Sequence, residues 1–234
     1  MLCRIADLIT EVPTAGGMAP RCKEYLFPDD VVPDIIISAD RYRVDRYTSG
    51  YEMAAYMESG AQFCRGLLEH DGFYLHAAAI ELDGKAYLFS GPSGVGKSTH
   101  TRLWQEKFGA AVQRFNDDKP ALRFLDDTWY AYGTPWCGKD GINLNMKVPI
   151  AGICFLVQGN ENRIRRLSNQ EAVSSILWQT MRRFRDRKYL DLLLDHVGKL
   201  VETIPIYELT NRPEPAAAEL SYETMRRGAQ EAGL

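Results

Sequence analysis

The sequence has no hydrophobic run near the ~20 residues needed to span a bilayer. Charges at Arg4, Asp7 and Glu11 speak against a signal peptide. No C-x-x-C pair occurs. Five cysteines, Cys3, Cys22, Cys64, Cys137 and Cys154, are scattered and odd in number, so neither a zinc site nor a disulfide framework is expected. Reduced thiols in a cytoplasmic protein with no membrane partner are the expectation. Charge of one sign is lacking too. The formal net charge is -3, which gives no general pull toward nucleic acid or an anionic surface. There is no internal repeat and no low-complexity tract. What is present is ordinary globular composition, 45% hydrophobic and 25% charged over 234 residues. That length allows one domain with a well-buried core and a small addition.

The most informative stretch is Gly91-Pro92-Ser93-Gly94-Val95-Gly96-Lys97-Ser98. It fits G-x-x-x-x-G-K-[ST], the phosphate-binding P-loop. The apolar run Ala86-Tyr87-Leu88-Phe89 precedes it and reads as a buried strand. A helix without Pro or Gly, Thr99 to Phe108, follows. Strand, glycine loop and helix are what phosphate binding needs. Glycines turn backbone N–H groups inward, and the helix start adds partial positive charge. Residues Gly91 to Thr99 are therefore the expected nucleotide contacts. Lys97 would reach the terminal phosphates and Ser98 would take a place on Mg²⁺. The bland alternative is a glycine-rich turn without a ligand.

The rest of the chain surrounds this loop. Residues 1–50 read as a small β-rich addition: a strand from Leu2 to Val12, a loop over 14–20, and short strands at Tyr25–Phe27 and Asp34–Ser38. The second unit, 51–234, would carry the chemistry. It opens with a helix from Ser49 to His70, in which Gly60 is a weak point. A strand over Phe73–Leu82 turns at Asp83-Gly84, a hairpin signal. The strand holding His76 thus pairs antiparallel with the strand feeding the P-loop. Ala111–Phe115 is a strand ending in Asn116-Asp117-Asp118. A second hairpin, 121–132, turns at Asp126-Asp127. A glycine-rich loop, 133–141, precedes a buried strand, Pro149–Val157. Helices over 169–184 and 189–203, a strand at 206–209 and a helix over 215–227 complete the chain.

Three further features carry candidate chemistry. Asp117-Asp118 ends a strand, so its carboxylates project in different directions. One can approach Mg²⁺, and the other can accept the proton of an attacking hydroxyl. A solvated turn is the bland reading. His76 precedes three small residues that leave room beside it, although a lone His on an apolar strand is more often a core residue. Lys139, in the glycine-rich loop, is either a contact for the transferred phosphate or a surface cation. The basic run Arg182–Lys188 reads as a solvated face, or as a lure for an acidic partner.

Together, His76-Ala77-Ala78-Ala79, the hairpin, Gly91 to Ser98 and Asn116-Asp117-Asp118 resemble the catalytic domain of HPr kinase/phosphorylase, of the superfamily shared with ATP-dependent phosphoenolpyruvate carboxykinase. The resemblance covers about Phe73 to Val157, and more loosely the helices to Thr203. It implies an α/β fold with mixed, largely antiparallel β-sheets and packed helices. It implies ATP on Gly91 to Lys97, Mg²⁺ by Ser98 and Asp118, and activation of a substrate serine by Asp117, with His76 beside the acid pair. An Arg-Gly-rich segment that the family uses in phosphorolysis is not recognisable here. The family's separate N-terminal domain is replaced by a short β-rich segment.

The expectation is an ATP- and Mg²⁺-dependent kinase for a hydroxyl, a serine on a protein or peptide. Two alternatives stay open: a nucleotide-binding regulator without transfer chemistry, and a small-molecule kinase. A homo-oligomer also stays open.

Overall fold

The computed structural model describes residues 1–29, 31–45, 48–180 and 186–234. In chain order the elements are β1 (Leu2–Ile5), β2 (Leu8–Glu11), α1 (Met18–Arg21), β3 (Ile35–Ile36), α2 (Tyr51–Leu68), β4 (Gly72–Tyr74), β5 (Ala77–Leu82), β6 (Lys85–Ser90), α3 (Lys97–Phe108), β7 (Gln113–Asn116), β8 (Ala121–Leu125) and β9 (Thr128–Tyr132). Then come β10 (Lys147–Gln158), β11 (Arg163–Arg166), α4 (Asn169–Gln179), α5 (Arg187–Thr203), β12 (Ile206–Asn211) and α6 (Pro215–Glu231).

The larger sheet has the strand order β4-β8-β9-β10-β6-β5-β7, with β12 on β10 and β11 on β12. Most of its ladders are antiparallel. The exceptions lie on either side of β10, which runs parallel to both β6 and β12. β10 holds the sheet together. Lys147 to Pro149 pair antiparallel with β9, while Ile150 to Phe155 pair with β6. Between Ile150 and Gly152 the register slips by one residue, a bulge that bends the strand from one half of the sheet into the other. The protein is thus a mixed α/β fold, as its sequence implies.

Burial explains the apolar run before the P-loop. Ala86 and Leu88 pack on the face covered by α4 and α5, beside Ile176, Leu193 and Val197. Tyr87 and Phe89 pack on the other face against Trp104 of α3 and Met225 of α6. A strand buried on both faces has no polar side to alternate with. Three turns share one chemistry. Ala6-Asp7, Asp83-Gly84 and Asp126-Asp127 all hold positive φ at both positions, between 47° and 73°. That is the backbone of a type I′ hairpin, which Asp and Gly tolerate best.

The N-terminal segment differs from its sequence reading. Leu2–Val12 is not one strand but the hairpin β1–β2, because Ala6-Asp7 turns the chain. Within 14–20, Met18 starts a short helix. Lys23–Tyr25 is a single helical turn, and Leu26 makes only an isolated bridge to Cys3. Cys3, Ile5, Met18, Cys22 and Tyr25 bury themselves against Phe63 and Leu67 of α2 and Tyr132 of β9. Gly60 of α2 faces Trp136, which stacks on Phe63 at 4.7 Å and donates its indole N–H to Ser59.

Other boundaries shift. Phe73–Leu82 is two strands, broken at Leu75-His76. β4 pairs with β8 and β5 with β6, so the chain crosses between the two halves of the sheet at His76. There its backbone N–H bonds to the Gln179 carbonyl instead of a neighbouring strand. β11 has no counterpart in the sequence reading. Its arginines hide it, and Arg165 pairs with Glu171 and Glu208. α4 ends at Gln179. Thr180 turns to extended backbone there, and residues 181–184 of the expected helix, with the basic run up to residue 185, lie outside the described residues. All five cysteines are buried and free. Among the described residues, no helix is long and apolar enough to cross a membrane.

Candidate active site

β6 delivers the chain to Gly91. Gly94 and Gly96 then take φ of 83° and 110°, values that a side chain resists. α3 begins at Lys97, two residues earlier than its sequence suggests, with Gly96 as an N-cap that offers no side chain. The first N–H groups of α3 therefore have no capping partner and face the loop's concavity. Lys97 is only 8% exposed. Its Nζ donates to the carbonyls of Gly91 (2.9 Å) and Pro92 (3.3 Å). Burial pulls its pKa down to about 8, against the opposing charge of Asp118. Ser98 is half-buried and Thr99 exposed in the same turn. His100, one residue on, turns into the core, where its Nε2 meets Ser221 Oγ at 3.1 Å and burial lowers its pKa to about 3.

The acid pair follows β7. Asn116 folds the turn: its Oδ1 accepts the N–H groups of Asp118 (3.1 Å) and Lys119 (2.8 Å). That splays the two carboxylates. Asp117 points at the 137–141 loop and accepts the backbone N–H groups of Gly138 (2.6 Å) and Asp140 (2.9 Å), one on each oxygen. Burial raises its pKa despite those bonds. Asp140 is gripped in turn by Arg114 (2.7 Å) and Arg102 (2.9 Å), which anchors the loop to β7 and α3.

Asp118 points the other way. Its Oδ1 lies 3.4 Å from Nε2 of His76. Its Oδ2 accepts from the hydroxyl of Tyr56 and from Nζ of Lys119. Burial alone would raise its pKa, but Lys119, Tyr56 and His76 together lower it. His76 is held on its other nitrogen by Gln179 Oε1 at 3.0 Å. Burial and then Lys97 lower its pKa, so the ring is neutral at pH 7. His76, Lys97 and Asp118 are thus electrostatic neighbours, while Asp117 serves the loop.

Beyond Asp118 opens a cavity of about 590 Å³, lined among others by Arg21, Tyr56, Asp118 and Lys139. Lys139 is exposed at its rim. Tyr56, Lys119, Gln179 and Arg21 are the site residues that the sequence reading missed. Only Lys119, next to the acid pair, had a sequence signal. Among the described residues, no three His, Cys, Asp or Glu side chains group as a metal-ligand set. Mg²⁺ at a nucleotide takes one or two protein ligands and completes its shell with phosphate and water. Ser98 and Asp118 are oxygen donors of that kind.

No curated protein matches the chain in sequence. Among solved structures, the HPr(Ser) kinase/phosphatase from Coxiella burnetii is similar with a TM-score of 0.35 and 12% identity, over 68% of this chain and 96% of that one. The family described as SynChlorMet cassette protein ScmC matches residues 52–212. That match takes in most of the chain, with His76, the P-loop, the acid pair and Lys139 inside it, and the protein belongs to the SynChlorMet cassette protein ScmC family.

Proposed function

We propose that this protein is an ATP- and Mg²⁺-dependent phosphotransferase that phosphorylates a hydroxyl, a serine on a protein or peptide. The observation that carries this reading is the His76–Asp118 pair at a cavity wall, with the buried Lys97 of the glycine loop within electrostatic reach of both. Lys97 is a buried cation whose partners are carbonyls. A phosphate would offer it full charge and draw it out of its own loop.

In the proposed reaction, the N–H groups of Gly94 to Ser98 and the Lys97 ammonium hold the phosphates of ATP. Ser98 would hold Mg²⁺, which supplies neutralisation of the phosphate charge. The acceptor hydroxyl enters from the cavity. Asp118 is the proton acceptor in this reading because, of the two aspartates, it is the one that lines the cavity. The acceptor oxygen bonds to the γ-phosphorus as the bond to the leaving ADP oxygen breaks. The proton passes to Asp118, with neutral His76 beside it. Asp117 keeps the 137–141 loop in place. In this reading Asp118 takes the proton-accepting role that the resemblance gives to Asp117.

Incubation of the protein with γ-labelled ATP and cell extract tests the reading. A labelled serine in a polypeptide supports it. Label in a metabolite makes the protein a small-molecule kinase. No label, with ATP bound, makes it a regulator.

A further inference from the structure

We infer that the cavity beside Asp118 is the acceptor subsite, and that it takes a polypeptide segment whose hydroxyl residue lies next to an acidic side chain. The inference rests on the transfer reading for what happens to the hydroxyl. Its own support is the charge and shape of the walls. At about 590 Å³ the cavity has room for a side chain and its neighbours. Much of one wall comes from the N-terminal segment, through Gly17 and Arg21.

Two cations face the space. Arg21 is half-buried between the Tyr56 ring, 5.0 Å from its guanidinium, and Cys137, whose carbonyl and Sγ accept from Nη1 at 3.1 and 3.0 Å. Those contacts use one of its nitrogens and supply no counter-charge. Lys139 stands exposed on the opposite loop. Among the described residues, neither makes an ion pair. Asp118 does not neutralise them, since Lys119 and Tyr56 already hold its Oδ2. Among the described residues, the one other carboxylate on the wall, Glu52, lies against Gly17. A half-buried guanidinium without an anion is a binding feature in search of one.

The surface beyond the cavity favours a chain over a metabolite. Met53 on the wall and Met57 one turn further along α2 are 43% and 53% exposed. This flexible apolar strip leads away from the mouth. A metabolite held in the cavity leaves it bare, whereas a polypeptide lies along it.

The test uses the nucleotide-free full chain and two fluorescein-labelled peptides. They differ only in whether the serine is flanked by Asp and Glu or by Lys. Anisotropy should show the acidic peptide bound more tightly by about tenfold or more at low salt. Lys139→Glu and Arg21→Glu should each erase or invert that preference. Lys139 is exposed, so its variant folds. A circular-dichroism melt checks the Arg21 variant. Equal binding of both peptides, binding of neither, or an unchanged preference in Lys139→Glu overturns the inference. ATP affinity is measured separately on the wild-type chain. Peptide preference without ATP binding sinks the transfer reading and leaves the subsite standing.

Discussion

The hydroxyl of Tyr56 donates to Oδ2 of Asp118 across 62 residues of chain. This bond joins α2 to the acid pair, and it puts an aromatic ring between the cations Arg21 and Lys119, at 5.0 and 4.3 Å. Removing the hydroxyl alone separates its hydrogen bonds from its packing. The same hydroxyl accepts from Lys119 at 2.8 Å, so Tyr56→Phe should leave ATP affinity intact and lower kcat for transfer by about tenfold or more, the scale of lost bonds to charged groups. Titration calorimetry with ATP, beside steady-state kinetics, measures both.

The proposal that Asp118, not Asp117, accepts the proton is open to direct test. Asp118→Asn should abolish transfer while ATP still binds; a fully active variant would remove Asp118 from the reaction. Asp117→Asn should act on the fold as well. It replaces one oxygen facing a backbone N–H with an NH₂ group, and the loss should be about 1–3 kcal/mol in thermal or denaturant unfolding.

Lys97 makes a prediction about pH. Its pKa falls from 10.5 unfolded to about 8 folded, because burial disfavours its charge. Between those values the unfolded chain binds the extra proton, so stability of the nucleotide-free protein should rise with pH over that window. Lys97→Met should remove that rise, bind ATP far more weakly, and melt no lower than wild type at pH 7. A melting-temperature series from pH 7 to 10.5 decides it.

His76 gives the acid side of the profile. Burial and Lys97 depress its pKa below 6.5, so transfer that needs the neutral ring should persist below pH 6.5 before it falls. The bond to Gln179 opposes that depression. Gln179→Ala should therefore move the acid limb to lower pH, whereas a purely structural role would lower kcat at every pH alike.

Gly60 sets two effects against each other. Alanine gains about 1 kcal/mol inside a helix. Yet its Cβ would sit 3.1 Å from Trp136, which stacking on Phe63 and a bond to Ser59 hold fast. Overpacking costs about 1–3 kcal/mol. Gly60→Ala should therefore lower the melting temperature, and Gly60→Ala with Trp136→Phe should recover part of it.

These residues also mark what a sequence discloses. Gly91 to Ser98 and Asp83-Gly84 are legible because their chemistry is local: glycine and aspartate accept backbone angles that others refuse. The run Phe73–Leu82 misleads for the same reason. Every residue in it suits a strand, and nothing local tells Leu75-His76 to cross between two halves of a sheet. Arg163–Arg166 hides because four residues at a sheet edge need no apolar side. Tyr56, Gln179 and Arg21 reach the site from three separate helices or their ends, so only the assembled core brings them there. The two aspartates show the limit most clearly. Their adjacency was visible, but which one faces the cavity depends on Asn116 and the 137–141 loop.

Asp140 holds that loop at three points: its N–H on Asp117, and its carboxylate on Arg114 and Arg102. Arg102 rides on the helix that begins with Lys97. A shift of that helix on filling the phosphate cradle would therefore pull on the wall that carries Lys139. Free energy would then be shared between two ligands that need never touch except at the reacting atoms. By reciprocity, whatever ATP does for the affinity of the acceptor, the acceptor must do for ATP by the same factor.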